Sequence, residues 1–262
     1  MHHSGRPCQR TGRARLLAQV AAAGYRRGML QLDGVRIGSD DLERARSAYT
    51  CLLGVEPEPL PGGGYRFQLG RGSVEVVAGA GGMQALRFID PAPAPSTALF
   101  HGIRVLIQPS TGEHGDVRGA PQAATAGSPG AVVAIDHVVV RTTDPERAIA
   151  LWRDRHGLRL ALDREFAARG LRLQFFRSAG MTLEYASPIP APPQASGDDV
   201  LHGVSYRIAD LALWRARLVA AGVDVSEARP GMKPGTLVAS VRSGTEGVPT
   251  LLLQAAGSED RP

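Results

Sequence analysis

The chain has 262 residues, of which 43% are hydrophobic and 21% are charged, and this composition excludes a wholly disordered protein and allows one large domain or two small ones. Its formal net charge is +5, but the positive residues are scattered arginines with a single lysine, and no basic stretch is interleaved with aromatics, which argues against a nucleic-acid-binding protein. No apolar run reaches the roughly 20 residues that a membrane span needs, and the two cysteines, Cys8 and Cys51, lack CxxC partners, which is typical of the reducing cytoplasm.

The first segment, residues 1–29, is rich in arginine and contains no Asp or Glu. We interpret it as a disordered extension or as sequence upstream of the true start, because Met29 directly precedes the first strand pattern. Met1 and Met29 both remain open as the start of translation. The last residues, 257–262, are predicted to form a polar tail.

A pattern of strand, Asp-bearing turn, helix and glycine first occurs early in the chain. The turn holds Asp40 and Asp41, and Gly54 follows the helix. A β-rich fragment at 100–105 is interpreted as the start of a further copy. We therefore predict a first domain over residues 30–108. Its strand-like runs are 32–37, 65–69 and 73–77.

The same pattern recurs twice after residues 109–133, a stretch rich in Gly, Ala, Ser and Pro that is predicted to be a linker. Asp144 is a suitable N-cap, Pro145 fits the first helical position and Gly157 fits a left-handed C-terminal cap. The two copies predict a second domain over residues 134–256. Their strand-like runs are 135–140, 171–176, 181–185, 204–208, 237–241 and 250–253.

Three motifs in this repeat spacing resemble the vicinal-oxygen-chelate superfamily, which includes glyoxalase, bleomycin-resistance and dioxygenase-like proteins. They are the strand opening Asp136-His137, the capped helix start at 144–148 and the strand at 182–185. The resemblance implies an α+β fold in which repeated βαβββ modules form two domains with U-shaped sheets. The region 134–256 is then a complete pair of modules, and 30–108 is a degenerate one.

In that family a pair of modules holds a divalent metal through the first and last strands of each module. The resemblance therefore implies His137 and Glu184 as metal ligands, with Glu184 also as the catalytic carboxylate. In the second module Gly203 and Leu251 stand at the ligand positions. His202 and Gln254 are the nearby donors that an irregular strand would bring inward.

The first pair of modules departs further from the family pattern. Gly34 and Gly102 stand where a ligand histidine is expected, so that only Glu75 remains as a candidate. An unpaired buried carboxylate is costly, and we expect Glu75 to be salt-bridged or exposed to solvent.

Four cationic side chains are candidates for binding a carboxylate or phosphate group of a substrate, and the alternative is that they are ordinary surface residues. Arg229 and Lys233 belong to a Gly/Pro-rich loop, and Arg141 and Arg207 lie on strands in the same alternation phase as the ligand positions.

Two functions follow from the resemblance. One is a lyase, isomerase or dioxygenase that depends on Fe, Mn, Ni or Zn and acts on a small, oxygen-rich molecule, which is anionic if the four cationic side chains bind it. The other is a metal-free ligand-binding protein of the bleomycin-resistance type. No motif for a nucleotide cofactor follows a strand. A small molecule is the expected partner, and both a monomer and a homodimer are compatible with the repeat.

Overall fold

A computed structural model describes residues 30–90, 95–109, 130–191 and 197–255. The extension predicted for 1–29, most of the linker predicted for 109–133 and the tail predicted for 257–262 lie outside the described residues. Within the described ranges, no helix combines the length and the apolar character that crossing a membrane requires.

The N-terminal sheet has seven strands in the order β2-β3-β4-β1-β5-β7-β6. Strand β1 is central, parallel to β4 and antiparallel to β5. The elements are β1 (Gln31–Ser39), α1 (Leu42–Leu53), β2 (Glu58–Pro59), β3 (Tyr65–Gln68), β4 (Ser73–Ala78), β5 (Gly82–Asp90), β6 (Ser96–Phe100) and β7 (Ile103–Pro109).

The prediction that a module starts at 100–105 is wrong. His101 and Gly102 form the turn between β6 and β7, with φ angles of 48° and 88°. Gly102 is therefore not at a ligand position. The strand that opens this module is β5, which pairs antiparallel with β1. The run at 100–105 looks like a strand in sequence because it contains the end of one strand and the start of the next.

The C-terminal sheet has eight strands in the order β13-β14-β15-β12-β8-β11-β10-β9. Here β8 is parallel to β11 and antiparallel to β12, as β1 is to β4 and β5. The elements are β8 (Val132–Arg141), α2 (Pro145–Ile149), β9 (Arg159–Phe166), β10 (Leu171–Ser178), β11 (Met181–Pro188), β12 (Val200–Ile208), α3 (Leu211–Ala220), β13 (Arg229–Pro230), β14 (Leu237–Val241) and β15 (Thr250–Gln254).

The helix ends follow local sequence signals. Asp144 caps α2 by accepting a hydrogen bond from the Arg147 amide, and Asp41 and Asp210 cap the other two helices in the same way. The left-handed conformation predicted for Gly157 is confirmed, with a φ of 72°. Between α2 and this glycine, Ala150–Arg155 form a wider π-helical turn that the sequence did not indicate.

The two sheets share one hydrophobic core. Trp152, in the π-helical turn of the C-terminal half, is fully buried and stacks on Phe88 of β5 in the N-terminal sheet, with ring centroids 5.3 Å apart. The indole N–H of Trp214 donates to the carbonyl of Leu52 at 3.0 Å. The prediction of an α+β protein built from two sheets is confirmed.

Candidate functional site

A β-bulge shapes the centre of the C-terminal sheet. His137 of β8 pairs with Ser205 and Ile135 pairs with Tyr206, so that Asp136 is an extra residue on its strand. Adjacent residues of a regular strand point to opposite faces. Because of the bulge, a carboxylate oxygen of Asp136 instead lies 2.9 Å from Nδ1 of His137.

Asp136 also accepts two hydrogen bonds from Arg207, at 2.6 Å from Nη2 and 3.2 Å from Nε. Burial alone would raise the pKa of Asp136, but the hydrogen bonds from His137 and Arg207 outweigh it and hold that pKa well below its usual range. An ionised carboxylate only accepts hydrogen bonds, so Nδ1 of His137 carries the proton. In the neutral form of the imidazole, the Nε2 atom then has a free lone pair.

Glu184 of β11 is the group that this Nε2 atom faces. The distance from Nε2 of His137 to Oε2 of Glu184 is 3.9 Å, which is too long for a hydrogen bond. The side chain of Glu184 is only 17% exposed. Burial raises the pKa of Glu184, and the charge of Asp136 adds to this effect while that of His137 opposes it. We call Asp136, His137, Glu184 and Arg207 the C-terminal site.

The ligand positions of the second module hold no donor. Gly203 faces Val139 and Leu251 faces Ser205, on the same side of the sheet as the C-terminal site. A Cβ atom on Gly203 would lie 2.6 Å from the carbonyl oxygen of Pro249, so the backbone leaves no room for a side chain there. Leu251 has no atom that binds a metal.

The donor set therefore does not fit the metal centre that the resemblance implies. Only His137 and Glu184 occupy ligand positions, whereas catalytic metal sites generally use three protein ligands. Among the described residues, no group of three or more His, Cys, Asp or Glu side chains is arranged to hold a metal ion.

The two alternative donors, His202 and Gln254, differ in their surroundings. A second bulge leaves His202 unpaired between Leu201 and Gly203, and burial and the charge of Arg141 lower its pKa. No hydrogen bond or ion pair joins it to His137 within the described part of the chain. Gln254 is engaged elsewhere, because its Oε1 accepts from the Leu211 amide at 2.7 Å, at the start of α3.

The four predicted anion-binding residues do not gather in one place. Arg207 binds Asp136, and Arg141 lies exposed at the end of β8. Arg229 is on β13, four strands from β8 in the sheet, which corresponds to roughly 19 Å along the sheet. It lines a groove of about 550 Å³, and Lys233 is exposed in the loop that follows. Their contact with a ligand stays a prediction.

Glu75 is salt-bridged, as expected. It is 2% exposed and lies 2.6 Å from Arg36, 2.7 Å from Arg66 and 3.1 Å from Arg87. Burial would raise the pKa of Glu75, but the three arginines outweigh it and lower that pKa. Arg87 also binds Asp33 at 2.9 Å.

Comparison with known proteins now identifies the fold. Residues 136–239 match the family model of the Glyoxalase/Bleomycin resistance protein/Dioxygenase superfamily. The resemblance to this superfamily that the sequence motifs indicated is therefore confirmed over these residues. No curated protein matches the chain in sequence.

Three solved structures are similar over most of their length and of this chain. A Mn(II)-bound glyoxalase from Novosphingobium aromaticivorans is 13% identical, with 86% of this chain and 82% of that chain covered and a TM-score of 0.63. A mutant of 4-hydroxymandelate synthase from Streptomyces coelicolor is 15% identical, with 87% and 93% covered and a TM-score of 0.63. BphC, a halotolerant catechol dioxygenase, is 12% identical, with 87% of each chain covered and a TM-score of 0.62. At these identities the likeness shows the fold alone.

Sequence reasoning missed Asp136 as a member of the site. The signal was present, because Asp33 and Asp136 precede Gly34 and His137 at the same point of the two repeats. Both aspartates are bulged in the structure. A regular strand would have turned each away from its neighbour, so the role of Asp136 depends on a bulge that the sequence did not indicate.

Proposed function

We propose that the chain is a small-molecule-binding protein of this superfamily whose C-terminal site works without a protein-held metal. The observation that carries the proposal is the second pair of ligand positions, where Gly203 has no room for a side chain and Leu251 has no donor atom. The site itself is partly open, since His137 and Glu184 are 19% and 17% exposed.

The competing account is the metal-dependent lyase, isomerase or dioxygenase that the sequence resemblance implies. The likeness to a Mn(II)-bound glyoxalase and to a catechol dioxygenase supports it at the level of the fold. In this chain a divalent metal would have His137 and Glu184 as its protein ligands. The two accounts therefore differ in whether the purified chain retains a metal.

The deciding experiment is mass spectrometry of bound metals in the full chain after dialysis, before and after addition of Fe(II), Mn, Ni or Zn. We expect substoichiometric metal that is unchanged in His137→Ala and Glu184→Ala. Near-stoichiometric metal in the parent, lost in both variants, would establish a chelate site and refute the proposal.

A second candidate function is metal-independent proton transfer. It is favoured by the arrangement of His137, in which Asp136 holds Nδ1 and leaves Nε2 as a base beside Glu184. In such a step Nε2 takes a proton from the carbon next to a carbonyl group. The electron pair of the C–H bond moves onto the carbonyl oxygen to give an enolate, and the exchange is completed when a proton from solvent returns to the carbon.

This candidate predicts exchange of carbon-bound protons with solvent. Small α-hydroxyketones would be incubated with the full chain in D₂O, and loss of the α-proton signal would be followed by NMR. Exchange that disappears in His137→Ala would support proton transfer. Exchange no faster than in buffer for every compound would leave binding without catalysis as the function.

A further inference from the structure

The two sheets contain the same carboxylate in very different surroundings. Glu75 and Glu184 occupy matching positions, each on the strand parallel to the central strand of its half. In the N-terminal half, Glu75 faces Arg36 on one neighbouring strand and Arg66 on the other. The third arginine, Arg87, lies on the antiparallel strand opposite Gly34.

In the C-terminal half all three arginine positions hold uncharged residues. The register places Val139 where Arg36 lies and Phe175 where Arg66 lies, on the two strands beside Glu184. Ser205, opposite His137, is the counterpart of Arg87. The carboxylate is thus kept, while the guanidinium groups that neutralise it in the other half are absent.

No other cation of the described residues replaces them. Arg207 binds Asp136 rather than Glu184, and the titratable group beside Glu184 is the imidazole of His137, 3.9 Å away. Arg177 lies on the same face but donates to the hydroxyl of Thr182. The C-terminal site therefore has two carboxylates and one guanidinium, a formal charge of −1 with His137 neutral.

The neighbours of Glu184 are suited to an organic cation. Phe175 lies directly across from Glu184 on β10, and such cross-strand pairs have Cβ atoms about 4.5–5.5 Å apart. A cation above an aromatic ring gains an electrostatic attraction, and a guanidinium group can also donate two parallel hydrogen bonds to a carboxylate. Val139 completes an apolar wall on the other side.

We infer that the C-terminal site binds a ligand that carries a cationic nitrogen group of the guanidinium, amidinium or ammonium class, paired with Glu184 and resting against Phe175. The cationic group of the ligand neutralises Glu184, as the arginines of the N-terminal half neutralise Glu75. The inference rests on the proposed function because it uses the same site, but it concerns the charge of the ligand. It replaces the anionic substrate expected from the sequence.

The test is an NMR titration of the full chain with methylguanidinium, followed through the ring signals of Phe175 and the imidazole signals of His137. Methylurea is the matched neutral control, and acetate is the anionic control. A ligand of five heavy atoms binds weakly, so we expect saturation on the order of 10 mM. Methylurea and acetate should give no saturable shift, and Glu184→Gln should weaken methylguanidinium binding at least tenfold.

Three results would overturn the inference. They are equal binding of methylurea, preferential binding of acetate, and methylguanidinium binding that Glu184→Gln leaves unchanged. The metal analysis above remains a separate measurement. A retained metal refutes the metal-free site, whereas a titration without preference for the cation refutes only the ligand class.

A substitution within the chain provides a second test. Ser205→Arg copies the position of Arg87 and should supply the missing cation from the protein itself. We expect a higher melting temperature for Ser205→Arg than for Ser205→Met, and no such difference in a Glu184→Gln background. Equal melting temperatures would contradict the inference. Because Ser205 is fully buried, the titration of the unmodified chain decides the matter if Ser205→Arg does not fold.

Discussion

Replacement of Arg87 by methionine should destabilise the protein strongly, because it removes a buried cation and keeps its two anions. The Arg87 side chain is 5% exposed and lies 2.9 Å from Asp33 and 3.1 Å from Glu75. Methionine retains most of the side-chain volume, so that the change tests charge rather than the creation of a cavity.

The expected loss follows from the contacts that remain. Removing one partner of a buried ion pair costs about 3–5 kcal/mol. Glu75 keeps two arginines after the substitution, so we expect the lower end, about 3 kcal/mol. For a protein of this size each kcal/mol lowers the melting temperature by roughly 2–4 °C, which gives a decrease of about 6–12 °C.

The measurement is urea unfolding of the full chain at pH 7, supported by thermal melts. Arg36→Met is the control, because Arg36 is one-third exposed and contacts the same carboxylate. Solvent screening limits its effect to about 1 kcal/mol or less. A loss below 1 kcal/mol for Arg87→Met, or equal losses for the two variants, would show that the buried arginine does not hold these carboxylates as argued.

Three further predictions concern the C-terminal site. Glu184→Gln should raise the free energy of unfolding at pH 7 and leave it unchanged well below pH 4.5. The reason is that folding raises the pKa of Glu184, so the carboxyl destabilises the folded protein once the pH rises above the pKa it has in the unfolded chain. Urea unfolding as a function of pH measures this. Asp136→Asn should reduce the fraction of His137 that carries its proton on Nδ1, which ¹⁵N NMR of the imidazole reports. Gly203→Ala should cost about 1–3 kcal/mol in urea unfolding, because its methyl group would meet the carbonyl of Pro249.

Each of these has a result that would contradict it. A Glu184→Gln variant less stable than the parent at pH 7 would mean that the carboxylate is stabilised by a partner. An unchanged His137 tautomer in Asp136→Asn would remove the orienting role of Asp136. A Gly203→Ala variant as stable as the parent would reopen that position to a side chain, and with it the argument against a second ligand.

The sequence by itself determined the repeat and the ends of the helices. The strand, Asp-bearing turn and helix of each copy depend on contacts between residues a few positions apart. For that reason the cap at Asp144 and the left-handed Gly157 were predictable. The prediction failed at 100–105, because β6 and β7 pair with each other around a turn at His101 and Gly102 and β7 also pairs with β5, and the residue types of the run do not show where one strand ends and the next begins.

Only the tertiary structure decided what the site contains. His137 and Glu184 were both identified from sequence, but their 3.9 Å separation depends on the parallel register of β8 and β11. The pairing of β8 with β12 produces the bulge that turns Asp136 toward His137. The same pairing brings Arg207 within hydrogen-bonding distance of Asp136. Register fixes which side chains meet across a sheet, and it is set by packing over the whole sheet rather than by neighbours in sequence. That is why the sequence showed two equivalent glutamates, and why the structure was needed to show that one is neutralised by three arginines and the other is left without a close cation.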